Sequence, residues 1–183
     1  DSIEFVTFAS TGNGTDFGDL TNAKWNCTGF SDATRGVVAG GENPSVTSYF
    51  NVIEYVTMSS AGNAVDFGDI VAGNQIGQNG AMASLTKGVI AGGYADPGAN
   101  TNVIQYVTIS TLGDTADFGD LLSAQQRTGC CSNAVRGVIG AGAPATNQIS
   151  FITMASLGNA TDFGDSTNNS EGKAGMNSPT RGI

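Results

Sequence analysis

A chain of 183 residues with 27 glycines, a formal net charge of −9, only seven Lys and Arg and no histidine must build its surface from uncharged polar side chains. So few cations leave no basic stripe to neutralise phosphates, which argues against nucleic acid and anionic membrane as partners, and the missing histidine removes the commonest metal ligand and proton-transfer group. No apolar stretch reaches the roughly eighteen residues of a membrane span and no basic and apolar leader opens the chain, so the expectation is a soluble segment without membrane insertion.

From the N terminus, the first strand signal is Ile3-Glu4-Phe5-Val6-Thr7, rich in β-branched and aromatic residues. A turn at Gly12-Asn13 suits a tight hairpin that needs positive φ, and Asp16-Phe17-Gly18-Asp19 follows it. Further on, Arg35-Gly36 opens a small apolar strand that ends in Ala39-Gly40-Gly41. The same succession then returns. Strand runs recur at Ile53 to Thr57, Ile104 to Thr108 and Ile149 to Thr153, and turns at Gly62-Asn63, Gly113-Asp114 and Gly158-Asn159. Asp-Phe-Gly-Asp recurs at Asp66 to Asp69, Asp117 to Asp120 and Asp162 to Asp165, in steps of 50, 51 and 45 residues. Lys87, Arg136 and Arg181, each followed by glycine, repeat Arg35, so four of the seven cations hold one repeat position. The cysteines, Cys27, Cys130 and Cys131, suit neither a disulfide framework nor spaced metal pairs.

A period of this length outranks any local motif. The clearest unit places strands at Gly88 to Ala91, Val103 to Ser110, Ala116 to Leu121 and Thr128 to Cys131, with a variable loop from Tyr94 to Asn102 and no helix. Apolar residues point to both sides of strands such as Val52 to Met58, so both faces are expected to be covered. The expected fold is all-β, a β-propeller of four-stranded antiparallel blades in about four units, 2–51, 52–102, 103–148 and an incomplete 149–183. Either the last strands pair with the first to close a ring or this is a stretch of a longer array, and the unfinished strand at Arg181-Gly182-Ile183 favours the array.

The apolar strand with paired glycines, the variable loop, the Ile-x-Tyr strand and the aromatic-bearing outer strand resemble the Kelch group of propeller repeats. Kelch-type blades usually carry a tryptophan after the tyrosine, whereas here the aromatic is the Phe of Asp-Phe-Gly-Asp and the lone tryptophan is Trp25. The wording of Gly-Asn-Ala-Thr-Asp-Phe-Gly-Asp at 158–165 and of Arg-Gly-Val-x-Ala-Gly-Gly is similar to Kelch-like arrays in virion structural and tail-fibre proteins of marine bacteriophages, cyanophages in particular. That resemblance implies a virion or extracellular location, with other virion proteins, copies of the same chain and host-surface glycans as partners.

Asp-Phe-Gly lacks the companion motifs of a protein kinase. The pairs Asp16 and Asp19, Asp66 and Asp69, Asp117 and Asp120, and Asp162 and Asp165 would supply oxygens to Ca²⁺, but they lack the dense alternation of a calcium loop. The blander reading needs no cofactor: one aspartate caps a tight turn while the other pairs with Arg35, Lys87, Arg136 or Arg181. Phe17, Phe67, Phe118 and Phe163 are expected to be equivalent buried residues, as are Phe30, Met82, Cys131 and Met176. A glycosidase would need one carboxylate pair set apart from the others, and none is. The expected role is therefore non-enzymatic, structural or adhesive, using loops such as Glu42 to Asn51 and Tyr94 to Asn102. The alternatives are a carbohydrate-active hydrolase or a calcium-binding extracellular propeller.

Overall fold

The computed structural model describes residues 1–43, 45, 49–71, 76–77, 79–95 and 98–183, with the backbone alone at 76–77. Among these residues the protein is all-β, in four antiparallel sheets taken in sequence order, without a helix. A two-stranded sheet comes first, from β1 (Ser2–Phe5) and β2 (Thr15–Asp19). The first full sheet is β3 (Thr28–Ser31), β4 (Arg35–Ala39), β5 (Val52–Thr57) and β6 (Val65–Asp69). In the second, β7 (Ile76–Gly77) and β8 (Gly80–Ala83) both pair with β9 (Lys87–Ala95), followed by β10 (Ala99–Thr108) and β11 (Ala116–Asp120). The third is β12 (Cys130–Ser132), β13 (Arg136–Ile139), β14 (Thr146–Thr153) and β15 (Thr161–Ser170). Beyond it, a bridge between Asn177 and Gly182 starts another hairpin.

The repeat is present with a different phase from the expected one. Each full sheet straddles an expected unit boundary, because the strand before Arg35, Lys87 or Arg136 pairs forward with the strand those residues open rather than backward with the Asp-Phe-Gly-Asp strand. The stretch Thr128 to Cys131 thus overlaps the first strand of the third sheet, not the last of the second. The reason is local: Asp32, Ser84 and Asn133 close tight turns that bring these neighbours together.

Successive sheets pack on one another through two apolar cores. One holds Phe30, Ile53, Phe67, Ile90 and Ile109 between the first and second sheets. The other holds Met82, Ile104, Phe118, Ile139 and Met154 between the second and third. The second sheet is therefore buried on both faces, which explains why its strands show no in-out alternation.

Candidate functional site

The Asp-Phe-Gly-Asp run is a joint between sheets. In every sheet the Phe is the extra residue of a β-bulge: Ile104 faces Gly119 and Gln105 faces Asp117, leaving Phe118 unpaired in the ladder. The following glycine holds positive φ, +147° at Gly68. This opens the strand to the hairpin turn of the next sheet. The Gly113 N–H donates to the Phe67 carbonyl (2.8 Å) and the Thr115 N–H to the Asp69 carbonyl (2.9 Å), while the Asp69 N–H donates to Asp114 Oδ1 (2.9 Å). The same triplet joins Gly62, Ala64 and Asn63 to Phe17 and Asp19, and Gly158, Ala160 and Asn159 to Phe118 and Asp120. Backbone approach is so close that a Cβ on Gly18, Gly68 or Gly119 would overlap the neighbouring turn, whereas Gly164 has open space around it.

The recurrent cations do not meet the Asp-Phe-Gly-Asp carboxylates as expected. The strand those cations open is separated from the Asp-Phe-Gly-Asp strand by an intervening one, roughly 9–10 Å in all. Aromatic rings lie closer. Arg35 stacks on Tyr55 at 4.8 Å, Lys87 on Tyr106 at 5.3 Å and Arg136 on Phe151 at 4.4 Å. Each of these rings sits edge-on to the bulge Phe of its own sheet. Arg35 also donates to the Ile109 carbonyl (2.6 Å) and Lys87 to the Met154 carbonyl (3.2 Å), both on the next sheet. Among the described residues the ion pairs are Lys24 with Glu54 and the exposed Arg127 with Glu171. Asp16, Asp66, Asp117 and Asp162 lie exposed on their strands, as do Asp19 and Asp165, while Asp69 and Asp120 are half-buried. Arg181 is exposed at the C-terminal hairpin.

Phe67 and Phe118 are buried as expected, but Phe17 is half-buried and Phe163 is 52 % exposed. Phe30 and Met82 are buried, Cys131 is half-buried and Met176 is exposed. The exposed members stand on end sheets, where no further sheet covers them.

Turns before the cations share one device. The carboxylate of Asp32 accepts from the Arg35 and Thr34 N–H groups (2.8 and 2.7 Å), and Asn133 and Ser84 do the same in the other full sheets. These bonds, the Arg35 amide first, hold the Asp32 pKa below its ordinary value. A lowered folded pKa gives stability that is present above the unfolded value of about 3.9 and is lost as pH falls through the folded one. Asp32→Asn is expected to keep the turn, as Asn133 does, and to flatten that acid-side fall; thermal midpoints measured from neutral pH down to about pH 2 test it.

A further pair escaped the sequence reading. Glu54 is fully buried, bound to Lys24 Nζ and to the Thr21 N–H (2.7 Å), with Lys24 also over the Phe50 ring. Both-face burial was legible, and an acid inside such a strand demands a partner. Burial pushes the Cys130 thiol up to about 12 and raises Cys131 as well, so both are poor nucleophiles at neutral pH. Among the described residues no three His, Cys, Asp or Glu side chains converge on a metal-sized site.

The Glu42 to Asn51 segment meets the expected Tyr94 to Asn102 loop, which is mostly strand in the structure because Tyr94 and Ala95 end β9 and Ala99 to Asn102 open β10 as its paired neighbour; residues 44, 46–48, 96 and 97 within the two segments lie outside the described set. Trp25 pairs with Glu42 through mutual backbone bonds, Glu42 bridges to Tyr49, and the Tyr49 ring meets Tyr94 of the next sheet edge-on at 5.7 Å. Trp25 is 55 % exposed, and beside it the Asn26 amide donates to Glu42. This is an amphipathic aromatic surface with amide and carboxylate groups at its edge. No family model matches the chain, and no curated protein is significantly similar to it.

Proposed function

We propose that the chain is a non-enzymatic structural or adhesive module of Kelch-like β-propeller blades, serving in a virion tail fibre or decoration and touching host-surface glycans through its aromatic rim. Its partners on this reading are other virion proteins, copies of itself and those glycans. The propeller part is supported by sequential antiparallel sheets with repeated inter-sheet joints. The virion part rests on the resemblance of the repeat wording. The observation that carries adhesion is the Tyr49–Tyr94 contact, which joins the Glu42 to Asn51 segment to the end of β9 beside the exposed Trp25.

A sugar ring offers an apolar face and a polar edge, which suits an exposed indole flanked by amide and carboxylate groups. A glycan array probed with the purified chain tests this. Binding is expected for the parent chain, and Trp25→Ala should weaken it about tenfold or more while leaving the circular dichroism spectrum unchanged, since the indole is not part of the core. Equal binding by both, or none by the parent, defeats the adhesive reading. Turnover on a polysaccharide panel would defeat the non-enzymatic one.

A further inference from the structure

The aromatic rim belongs to a position that the fold repeats, and the side chains placed there differ from sheet to sheet. Building on the adhesive reading, on which this step rests, we infer that the rim takes an uncharged glycan at one site centred on Trp25 and turns away sialylated, uronate and sulfated sugars.

The backbone bridge that sets the indole beside Glu42 has a counterpart in each of the other full sheets. Trp25 faces Glu42 in the first, Gly77 faces Tyr94 in the second and Gln126 faces Ala143 in the third. Asn26 and Arg127, the residues that follow Trp25 and Gln126, share positive φ at +51° and +56°, as equivalent positions should. Of the three places that hold Trp25, Gly77 and Gln126, the first alone offers a ring for a sugar face to stack on. Tyr94 lends its own ring to that same place by meeting Tyr49. One indole beside one tyrosine pair defines one site.

Charge narrows what can sit there. The half-buried Glu42 accepts from the Asn26 amide through Oε1 (3.2 Å) at the edge of the rings. In sequence the segments Glu42 to Asn51 and Tyr94 to Asn102 hold no Lys or Arg, and the whole chain carries a net charge of −9. All seven cations have other places. Lys24, next to Trp25 in the chain, is fully buried against Glu54. Arg35, Lys87 and Arg136 open β4, β9 and β13 at the far ends of those strands, and along β9 the distance from Lys87 to Tyr94 is roughly 23 Å. Arg127 pairs with Glu171, Lys173 donates to the Ser166 hydroxyl and Arg181 lies in the C-terminal hairpin. A sugar carboxylate or sulfate at the rim would meet a like charge without a cation to offset it, and such juxtapositions are what suppress wrong partners at an interface.

Trp25 is the lone tryptophan, so its fluorescence reports on this site alone. The test titrates the 183-residue chain, at about 10 mM salt, with hexamers of glucose, N-acetylglucosamine, mannose and galactose and with the anionic counterparts of the last two, hexamers of mannuronate and of sulfated galactose. At least one neutral hexamer is expected to shift the emission to the blue, with one hexamer bound per chain by calorimetry, and each anionic hexamer to bind at least about tenfold more weakly than the best neutral one. Glu42→Gln keeps a side-chain carbonyl for the Asn26 amide and removes the charge. It should narrow the gap about threefold or more, as should raising the salt to about 1 M, which cuts the screening length from about 30 Å to about 3 Å. An anionic hexamer that binds as tightly as the best neutral one, more than one hexamer per chain, a gap that neither change narrows, or array binding with no response from Trp25 overturns the inference and leaves adhesion standing. Absence of binding to every glycan defeats the adhesive reading itself.

Discussion

Gly68→Ala is expected to lower the unfolding free energy by about 3–5 kcal/mol, and Gly164→Ala by only about 1–3 kcal/mol, although the two glycines hold the same place in Asp-Phe-Gly-Asp. Both have positive φ, +147° and +133°, so both substitutions strain the backbone. The difference lies beyond the strand. A Cβ on Gly68 would overlap the backbone of Gly113, which no rotamer change relieves, and moving that turn breaks the bonds from Gly113 and Thr115 to Phe67 and Asp69. A Cβ on Gly164 meets nothing. Urea unfolding of the two variants alongside the parent measures the contrast, and equal losses would show that strain alone sets the cost and that the joint contributes little.

Asp-Phe-Gly-Asp is thus a motif whose meaning lies in the neighbouring sheet. In a stack of repeats each unit touches its neighbours, and stability is nearly a sum of unit and interface terms. A motif kept at every interface therefore recurs as strictly as a catalytic one would. This also accounts for the end residues. Phe67 and Phe118 are buried against a further sheet, whereas Phe163 keeps its ring contact with Phe151 in its own sheet but stays 52 % exposed.

The period, the all-β class and the strand positions were legible because β-branched runs and Gly-Asn turns act within a few residues. The phase of the sheets was not. Thr128 to Cys131 follows one Asp-Phe-Gly-Asp strand and precedes Arg136, and only the Asn133 turn decides which neighbour it joins. The partners of the cations were hidden for a related reason: recurrence at one repeat position points to the recurrent Asp, but an intervening strand separates them, and the rings of Tyr55, Tyr106 and Phe151 lie nearer. The rim was half legible. Loop variability marked Tyr94 and the segment holding Tyr49, but the approach of Trp25 depends on a backbone bridge to Glu42 that spacing does not reveal.

The second large effect concerns Lys24 and Glu54, whose side chains are both fully buried. Removing one partner from such a pair strands the other charge, so Lys24→Gln is expected to cost about 3–5 kcal/mol. The protein itself supplies the repair. At the place of Lys24 one repeat carries Gln125, and at the place of Glu54 another carries Gln105; both are buried and neutral. Gln105 keeps its carbonyl occupied by the Thr115 hydroxyl (2.6 Å), and in Glu54→Gln the side-chain carbonyl would still accept from the Thr21 N–H. The double variant Lys24→Gln with Glu54→Gln should therefore recover most of the loss, because no charge remains to be buried and a hydrogen-bonded amide pair fits the same volume. Chemical unfolding of the parent, both single variants and the double closes the cycle. Additive losses would mean that the two residues act separately and that the pair does not tie the loop after β2 to the first full sheet.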